Sequence, residues 1–215
     1  MEIIYEDRRI VVAVKPAGVL STDEAGGMPS LLREVLGSQC IRTVHRLDAQ
    51  TGGVMVFARS RKAASLLSES LRQHEFRKDY LAVVHGVPRP QSGRWRDLLG
   101  RDSVRRVTYV ADAPAPDVRE AVLDYETLCS ADGLSLVRIR LHTGRTHQIR
   151  VQFASRGLPL YGDRKYGNGG DEAPLALWAF RLSFPHPETG EVMTFSHLPP
   201  HNAPWTAFTL PDTLC

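Results

Sequence analysis

EAVLDYETL at Glu120–Leu128 and LSLVRIRL at Leu134–Leu141 carry the pattern that decides the fold. Both runs are short, rich in apolar and β-branched residues and bounded by turn-forming residues, which is typical of β-strands. A third run, Arg106 to Val110, lies on the other side of Ala111–Asp117, a surface turn with three alanines, two prolines and two aspartates. These three runs predict antiparallel strands.

The rest of the chain adds more short strands and few helices. The predicted strands are Ile3–Tyr5, Arg9–Val14, Val54–Ala58, Tyr80–Val84, Leu175–Phe184 and Val192–Phe195. The predicted helices run from an N-cap at Ser30 to Gly37, from an N-cap at Ser60 to about His74, and over Thr146–Ser155.

This series of elements predicts an α+β fold, in which a central mixed and mainly antiparallel β-sheet is flanked by helices and loops. The sequence has no βαβ repeat of about 30 residues and no glycine-rich phosphate loop. No linker separates two parts, so we expect a single domain over residues 1–215. Gly86 to Arg106 is rich in Pro, Gly and Arg without a clear period, and it is predicted to be a loop that reaches a ligand.

Composition excludes several classes of protein. The 215 residues are 42% hydrophobic and 24% charged, which argues against disorder. No apolar run reaches the roughly 18 residues of a membrane span, and the acidic N-terminus does not resemble a secretory signal. Cysteines 40, 129 and 215 are odd in number and far apart, which favours the reducing cytoplasm. Without CxxC or HExxH we expect no metal, and we expect no cofactor.

Basic residues are concentrated in two blocks. Arg42 to Arg106 holds 14 Lys and Arg against 6 Asp and Glu, and Arg138 to Lys165 holds 7 against 1. Of the 27 cationic residues, 23 are arginine, whose planar guanidinium suits phosphate and base stacking. Such blocks on an otherwise acidic chain indicate a polyanion partner, most simply a nucleic acid.

Three polar stretches could carry chemistry. In an extended His45-Arg46-Leu47-Asp48, side chains alternate, so Arg46 and Asp48 share one face. A carboxylate kept ionised by an arginine can act as base or nucleophile, although a surface ion pair before the Thr51 turn explains the same residues.

The other two stretches follow the same logic. Tyr80, after Lys78, either stacks on a base or is an ordinary strand residue. In His142–Arg150 a strand passes into a helix, and Arg145 lies at the turn, so it can point into a site, with Gln148 and Arg150 close by. The alternative for this stretch is a solvated basic helix face.

Taken together, these stretches resemble the RluA-type family of RNA pseudouridine synthases. The resemblance covers nearly the whole chain in family order. It rests on Val11–Gly18, His45–Asp48 with Thr51 and Gly53, Arg77–Ala82 with Val84 and Gly86, His142–Arg150, Gly162-Asp163 and Tyr166-Gly167. The sequence departs from the family at Gly52, where relatives usually have Ser, and at Arg119–Tyr125. Because the first motif starts close to Met1, we expect no RNA-binding domain before it.

The resemblance implies an isomerase that converts uridine in structured RNA to pseudouridine, with RNA in a basic cleft across the sheet. Asp48 is then the essential carboxylate, Arg145 its partner cation, and Tyr80 the ring that stacks on the uracil. Arg46 fills the space of the extruded uridine, and Lys78, Gln148 and Arg150 bind RNA.

The resemblance leaves the target and three mechanisms open. In the three mechanisms, Asp48 attacks the ribose, attacks the base, or removes a proton from the ribose. The RNA is ribosomal, transfer or both, and the protein is expected to be a monomer. Two alternatives remain: a non-catalytic RNA-binding module on the same fold, and a hydrolase that excises the base.

Overall fold

The computed structural model describes residues 1–209 and divides them into two compact units. Unit 1 comprises Met1–Lys78 and Trp178–Pro199, and unit 2 comprises Asp79–Leu177 and the described residues from Pro200. The single domain expected for residues 1–215 stays a prediction. Cys215 lies outside the described residues.

The elements of residues 1–209 follow the chain in this order. The strands are β1 (Glu2–Glu6), β2 (Ile10–Lys15), β3 (Arg42–Thr43), β4 (Gly52–Ala58), β5 (Arg77–His85), β6 (Ser92–Asp102), β7 (Val107–Ala111), β8 (Arg119–Ala131), β9 (Leu134–Leu141), β10 (Leu177–Pro185) and β11 (Val192–Ser196). The helices are α1 (Met28–Leu36), α2 (Arg61–Arg72) and α3 (Gln148–Ala154), with a 3₁₀ turn at Trp205–Ala207. None of these helices is both long enough and apolar enough to cross a lipid bilayer.

In unit 1 the sheet is built around two wholly buried strands, β2 and β4, which pair antiparallel. β1 pairs antiparallel with the other edge of β2, whereas β10 pairs parallel with β4 and antiparallel with β11. α2 covers this sheet with Ala63 and Leu67, which pack into a core containing Phe76 and Phe184. The predicted cap is confirmed, because the Ser60 hydroxyl accepts the N–H of Ala63 at 3.1 Å.

In unit 2 the strands pair antiparallel in the order β9, β8, β6 and β7, with β7 at the edge and β5 beside β9. One face of β6 and β8 packs Trp95 and Tyr125 against Phe153 of α3, with ring centroids 4.3 to 6.1 Å apart. The helices and the mixed, mainly antiparallel pairing confirm the α+β class.

Two predicted elements differ from the structure. Most of Gly86 to Arg106 is not a loop but strand β6, eleven residues long, and the prolines at 88 and 90 come before it. The strand forms because β8 supplies a complete hydrogen-bonding partner and carboxylates opposite its arginines. Helix α1 begins at Met28 with Gly27 as its N-cap, ahead of Ser30, since Pro29 fits the first turn, where its missing N–H costs nothing. The predicted end at Gly37 is confirmed.

Candidate active site

The segment that carries Asp48 lies in unit 1 as an irregular extended stretch between β3 and β4. Its side chains alternate as predicted: His45 and Leu47 are buried, Arg46 is exposed, and Asp48 is half-buried. The hydroxyl of Ser21 donates to the Leu47 carbonyl at 2.9 Å and accepts the Leu47 N–H at 3.0 Å. The backbone immediately before Asp48 is therefore fixed, because both polar backbone groups of Leu47 are bound by the Ser21 hydroxyl.

His45 supports this segment from beneath as a neutral ring. Its Nε2 accepts the N–H of Val56 at 3.2 Å, which ties the segment to the centre of β4. Burial, together with the charge of Lys78, lowers the pKa of His45 to about 3. The imidazole is uncharged near neutral pH and acts as a hydrogen-bond acceptor in the core.

Lys15 anchors the chain on the other side of Asp48. Its ammonium is fully buried and donates to the carbonyls of Pro16 at 3.0 Å, Val19 at 2.5 Å and Ala49 at 2.9 Å. Burial lowers the pKa of Lys15 to about 8, and the negative charge of Asp48 opposes that shift. At neutral pH unit 1 thus provides a buried cation that interacts electrostatically with Asp48.

The sequence contains a signal that Lys15 has a structural role. Lys15 follows five apolar residues of a strand. A lysine buried at such a position needs polar partners, since without them the side chain would lose its proton and its charge. Here the partners are backbone carbonyls of two turns, and such carbonyls leave no trace in side-chain patterns.

The turn after Asp48 explains one departure from the family pattern. The N–H of Thr51 donates to the Asp48 carbonyl at 3.0 Å. A Cβ at Gly52 would lie 2.3 Å from the ring of Trp178, and one at Gly53, where φ is +124°, would lie 2.2 Å from a backbone oxygen. The indole occupies the space that a serine at position 52 would need.

Lys78 is the last residue of unit 1 before β5 enters unit 2. Its ammonium lies 5.9 Å from the centroid of the Phe76 ring. Burial lowers the pKa of Lys78 to about 8, so the side chain keeps its charge at neutral pH. This cation is suited to a phosphate, and its assignment to RNA binding stays a prediction.

In unit 2, Tyr80 lies on β5 and is 6% exposed, so its ring is a buried strand side chain. The preceding residue, Asp79, is buried and accepts a hydrogen bond from Nε of Arg140 on β9 at 2.8 Å. Stacking on uracil remains the predicted role of Tyr80.

Arg145 is exposed at the turn between β9 and α3, and its backbone is fixed by Gln148. The Gln148 side-chain oxygen accepts the N–H of Arg145 at 3.0 Å and the hydroxyl of Thr143 at 2.8 Å, while its Nε2 donates to the Val122 carbonyl at 3.2 Å. The Arg145 Nε donates to the Glu120 carbonyl at 2.9 Å. Gln148 is itself buried, so this geometry favours a role in shaping the turn over contact with RNA.

Arg150 is also buried, and it forms a bidentate ion pair with Asp163 at 2.8 and 2.7 Å. Burial raises the pKa of Asp163, but the hydrogen bonds and charge of Arg150 outweigh it, and the pKa is lowered. The same carboxylate accepts the N–H groups of Lys165 and Tyr166. A guanidinium committed in this way favours a structural role for Arg150.

Comparison with known proteins decides the family. A family model described as RNA pseudouridylate synthase matches residues 9–155. The chain belongs to the RNA pseudouridylate synthase family. Its members are isomerases that convert uridine in RNA to pseudouridine, and the matched range includes Asp48, Tyr80 and Arg145.

Relatives of this synthase cover most of its length. It is 35% identical over 208 residues to the uncharacterized RNA pseudouridine synthase YhcT of Bacillus subtilis, a match that covers 90% of this chain and 67% of YhcT. It is 34% identical to the ribosomal large subunit pseudouridine synthase D of Neisseria meningitidis serogroup A, over 91% of this chain and 57% of that protein. The chain thus spans between about half and two thirds of the length of these relatives.

Solved structures share the fold of this synthase. The human RNA pseudouridylate synthase domain containing 1 matches with a TM-score of 0.80 over 94% of this chain and 84% of its own, at 24% identity. The human RNA pseudouridylate synthase domain containing 4 matches with a TM-score of 0.77 over 93% of this chain and 88% of its own, also at 24% identity.

The predicted site residues of the synthase are divided between the units. Unit 1 holds Arg46, Asp48 and Lys78; unit 2 holds Tyr80, Arg145, Gln148 and Arg150. The pairing of Asp48 with Arg145 stays a prediction.

Proposed function

We propose that this synthase isomerises specific uridines of structured ribosomal or transfer RNA, and that Asp48 is its essential carboxylate. The observation that carries this proposal is the conformation of residues 45–51. Asp48 is half-buried on the same side as the exposed Arg46, and the backbone on both sides is held by Ser21 and by Lys15. A fixed, ionisable carboxylate in a basic stretch is an unusual and costly feature of an RNA-binding surface unless it takes part in chemistry.

The reaction is balanced within one nucleoside. The bond from the ribose anomeric carbon to the base nitrogen breaks, the base turns while it stays bound, and the same ribose carbon bonds to a base carbon. That carbon loses its proton, and the nitrogen that left the sugar gains one, so no oxidant or reductant is consumed. Asp48 starts the reaction by attack on the sugar or on the base, or by removal of a sugar proton.

Side chains of both units support this step in the proposal. The buried ammonium of Lys15 interacts electrostatically with Asp48 within unit 1, and Arg145 is proposed as the second cation. Tyr80 is proposed to stack on the uracil and to assist loss of the proton from the base carbon.

Extrusion of the target uridine from a folded RNA costs a few kcal/mol. We propose that Arg46 enters the vacated space, in keeping with its exposed side chain, and that Lys78 contacts phosphate. Gln148 and Arg150 are proposed to act indirectly, by fixing the turn of Arg145 and the turn at residues 163–166.

The finer assignments follow from the same proposal. We propose that the synthase is cytoplasmic, because cysteines such as Cys40 and Cys129 stay reduced in that compartment. We further propose that it acts as a monomer.

The test is Asp48→Asn, compared with Asp112→Asn, an exposed aspartate in the surface turn of unit 2. Each variant is incubated with total RNA from cells that lack the gene, and pseudouridine is mapped by carbodiimide modification. We expect wild type and Asp112→Asn to form pseudouridine, and Asp48→Asn to form none while it binds RNA with nearly unchanged affinity. Full turnover by Asp48→Asn would exclude the proposed role of the carboxylate.

The same reactions separate the alternatives. Free uracil in the products of the wild type, detected by chromatography, would indicate a base-excising hydrolase. RNA binding by the wild type without pseudouridine or uracil would indicate a non-catalytic module.

A further inference from the structure

The hairpin of β6 and β7 ends in a dense group of cations in unit 2. Residues 103–106 form its turn, and the turn at residues 163–166 lies against it. We call these two turns with Arg101 the basic tip. Its exposed cations are Arg101, Arg105, Arg106, Arg164 and Lys165.

Three of these cations have no acidic partner in the part of the chain that the structure describes. Among residues 1–209, Arg101, Arg106 and Arg164 have no carboxylate within 4 Å, and Arg105 reaches only Asp102, at 3.9 Å. Within the basic tip as defined, the acid Asp163 is buried and neutralised by Arg150. The basic tip therefore presents several positive charges to solvent, with one half-buried acid, Asp102, beside them.

The positive charges are also held in place. The Asp102 carboxylate accepts the N–H groups of Val104 and Arg105 at 2.9 and 2.8 Å, which fixes the turn. The Lys165 ammonium donates to the carbonyl of Arg106 at 2.6 Å, and the Tyr166 hydroxyl accepts the N–H of Thr108 at 2.9 Å. The two turns are thereby joined, so little order has to be gained when an anion binds.

A ligand for this surface must carry several negative charges in an extended array. A single phosphate or carboxylate would engage one or two arginines, whereas a nucleic-acid backbone supplies a phosphate at every nucleotide. Arginine is the side chain best suited to such contacts, because its guanidinium can donate two parallel hydrogen bonds to one phosphate.

We infer that the basic tip is a phosphate-binding site that holds the backbone of the substrate RNA and adds affinity without taking part in the chemistry. The inference rests on the proposed function in one respect, namely that the polyanion is RNA. It assigns binding to residues outside Asp48, Tyr80 and Arg145.

The test compares charge removal at the basic tip with equal charge removal elsewhere. The tip variant is Arg101→Gln/Arg106→Gln/Arg164→Gln. The control is Arg8→Gln/Arg61→Gln/Lys62→Gln, which removes three exposed cations of unit 1 that also have no carboxylate within 4 Å among the described residues. Affinity for a fluorescent RNA stem-loop is measured between about 50 and 300 mM salt.

We expect the tip variant to lose affinity by about 10- to 100-fold near 100 mM salt, and its slope of log affinity against log salt to fall by about 2 to 3. The control should stay within about threefold of wild type, because long-range effects of exposed charges are screened. Equal affinity and equal slope for wild type and tip variant would overturn the inference.

A second set of variants separates charge from folding. Arg101→Lys/Arg106→Lys/Arg164→Lys keeps the three charges and should stay within about fivefold of wild type. A loss as large as that of the glutamine variant would overturn the electrostatic inference. Thermal unfolding of each variant, followed by circular dichroism, should match wild type.

Activity distinguishes this inference from the proposed function. With total RNA as substrate, the tip variant should show a raised KM and a kcat within about twofold of wild type, since only binding is affected. If the wild type forms no pseudouridine but binds RNA through the basic tip, the proposed function fails alone. If the wild type forms pseudouridine and the tip variant has an unchanged KM, the inference about the basic tip fails alone.

Discussion

Strand β6 carries two kinds of arginine within a few residues of each other. Arg94 and Arg96 donate to carboxylates on β8: Arg94 to Asp124 at 2.6 and 3.0 Å, and Arg96 to Glu120 at 2.7 Å. Arg101, farther along the same strand, has no acid within reach among the described residues. The difference lies in β8, whose acids face one end of β6 and not the other. The number of cations in a segment therefore does not locate a polyanion site. The ion pairs of the folded chain do so better, because they show which exposed cations are already neutralised by an acid.

Burial separates a third kind of basic side chain from these two. Arg150 keeps its charge in the interior through a bidentate carboxylate, whereas His45 is buried without an acid and stays neutral. Both belong to sequence motifs that resemble a functional site, and both support the backbone of that site. Exposed unpaired, exposed paired and buried basic residues should thus respond differently to substitution.

The largest loss of stability is expected at the buried ion pair of Arg150 and Asp163. Asp163→Asn leaves the guanidinium of Arg150 buried without its counter-charge, and we expect the free energy of unfolding to fall by about 3 to 5 kcal/mol. Urea denaturation followed by fluorescence measures this change, and Asp124→Asn at the exposed pair is the control. A loss below about 1 kcal/mol for Asp163→Asn would remove the distinction between buried and exposed pairs.

The next effect concerns His45 and pH. Its pKa of about 3 in the folded chain lies below the value of about 6.5 expected after unfolding, so the unfolded chain binds more protons between these values. The contribution of neutral His45 is complete above about pH 6.5 and is lost as the pH falls, by about 2 kcal/mol at pH 5.

The check is a comparison of wild type with His45→Gln, whose side-chain oxygen can still accept the Val56 N–H. Urea denaturation at pH 7 and pH 5 should show a smaller decrease for the variant. The other histidines are present in both proteins, so their contributions cancel in the difference. If the free energy of unfolding of wild type and of His45→Gln fell by the same amount between pH 7 and pH 5, protonation of His45 would not be the cause of the loss.

The smallest effect separates the two kinds of exposed arginine. Arg94→Gln should lower the free energy of unfolding by less than about 1 kcal/mol, and about 1 M salt should remove the difference. Arg101→Gln should change stability by no more than about 0.5 kcal/mol at any salt concentration. Equal and salt-dependent losses for both variants would show that Arg101 has a partner too.

Local patterns predicted the elements that depend on neighbours in the chain. The hydroxyl of Ser60 caps α2, Gly37 ends α1 in the left-handed region, and the side chains of His45–Asp48 alternate between core and surface. Each of these features depends on backbone geometry over a few residues, so the pattern is visible in the sequence.

Strand β6 was missed because its stability comes from another part of the chain. Glycine, arginine and proline around it weaken the local strand signal, whereas β8 provides the hydrogen bonds and the opposing carboxylates. The start of α1 shows the same limit on a smaller scale, because Gly27 caps it through backbone conformation without a side-chain hydrogen bond.

By itself, the sequence determined the α+β class, the alternation that turns Asp48 and Arg46 to the surface side, and the motifs that resemble a pseudouridine synthase. Only the tertiary structure decided which basic residues are buried, which are paired and which are left for a polyanion, because these properties depend on contacts between segments that are separated in the chain. The roles of Lys15 and Arg150 illustrate this: one partner of Lys15 is the carbonyl of Ala49, 34 positions away, and the partner of Arg150 is the carboxylate of Asp163, 13 positions away.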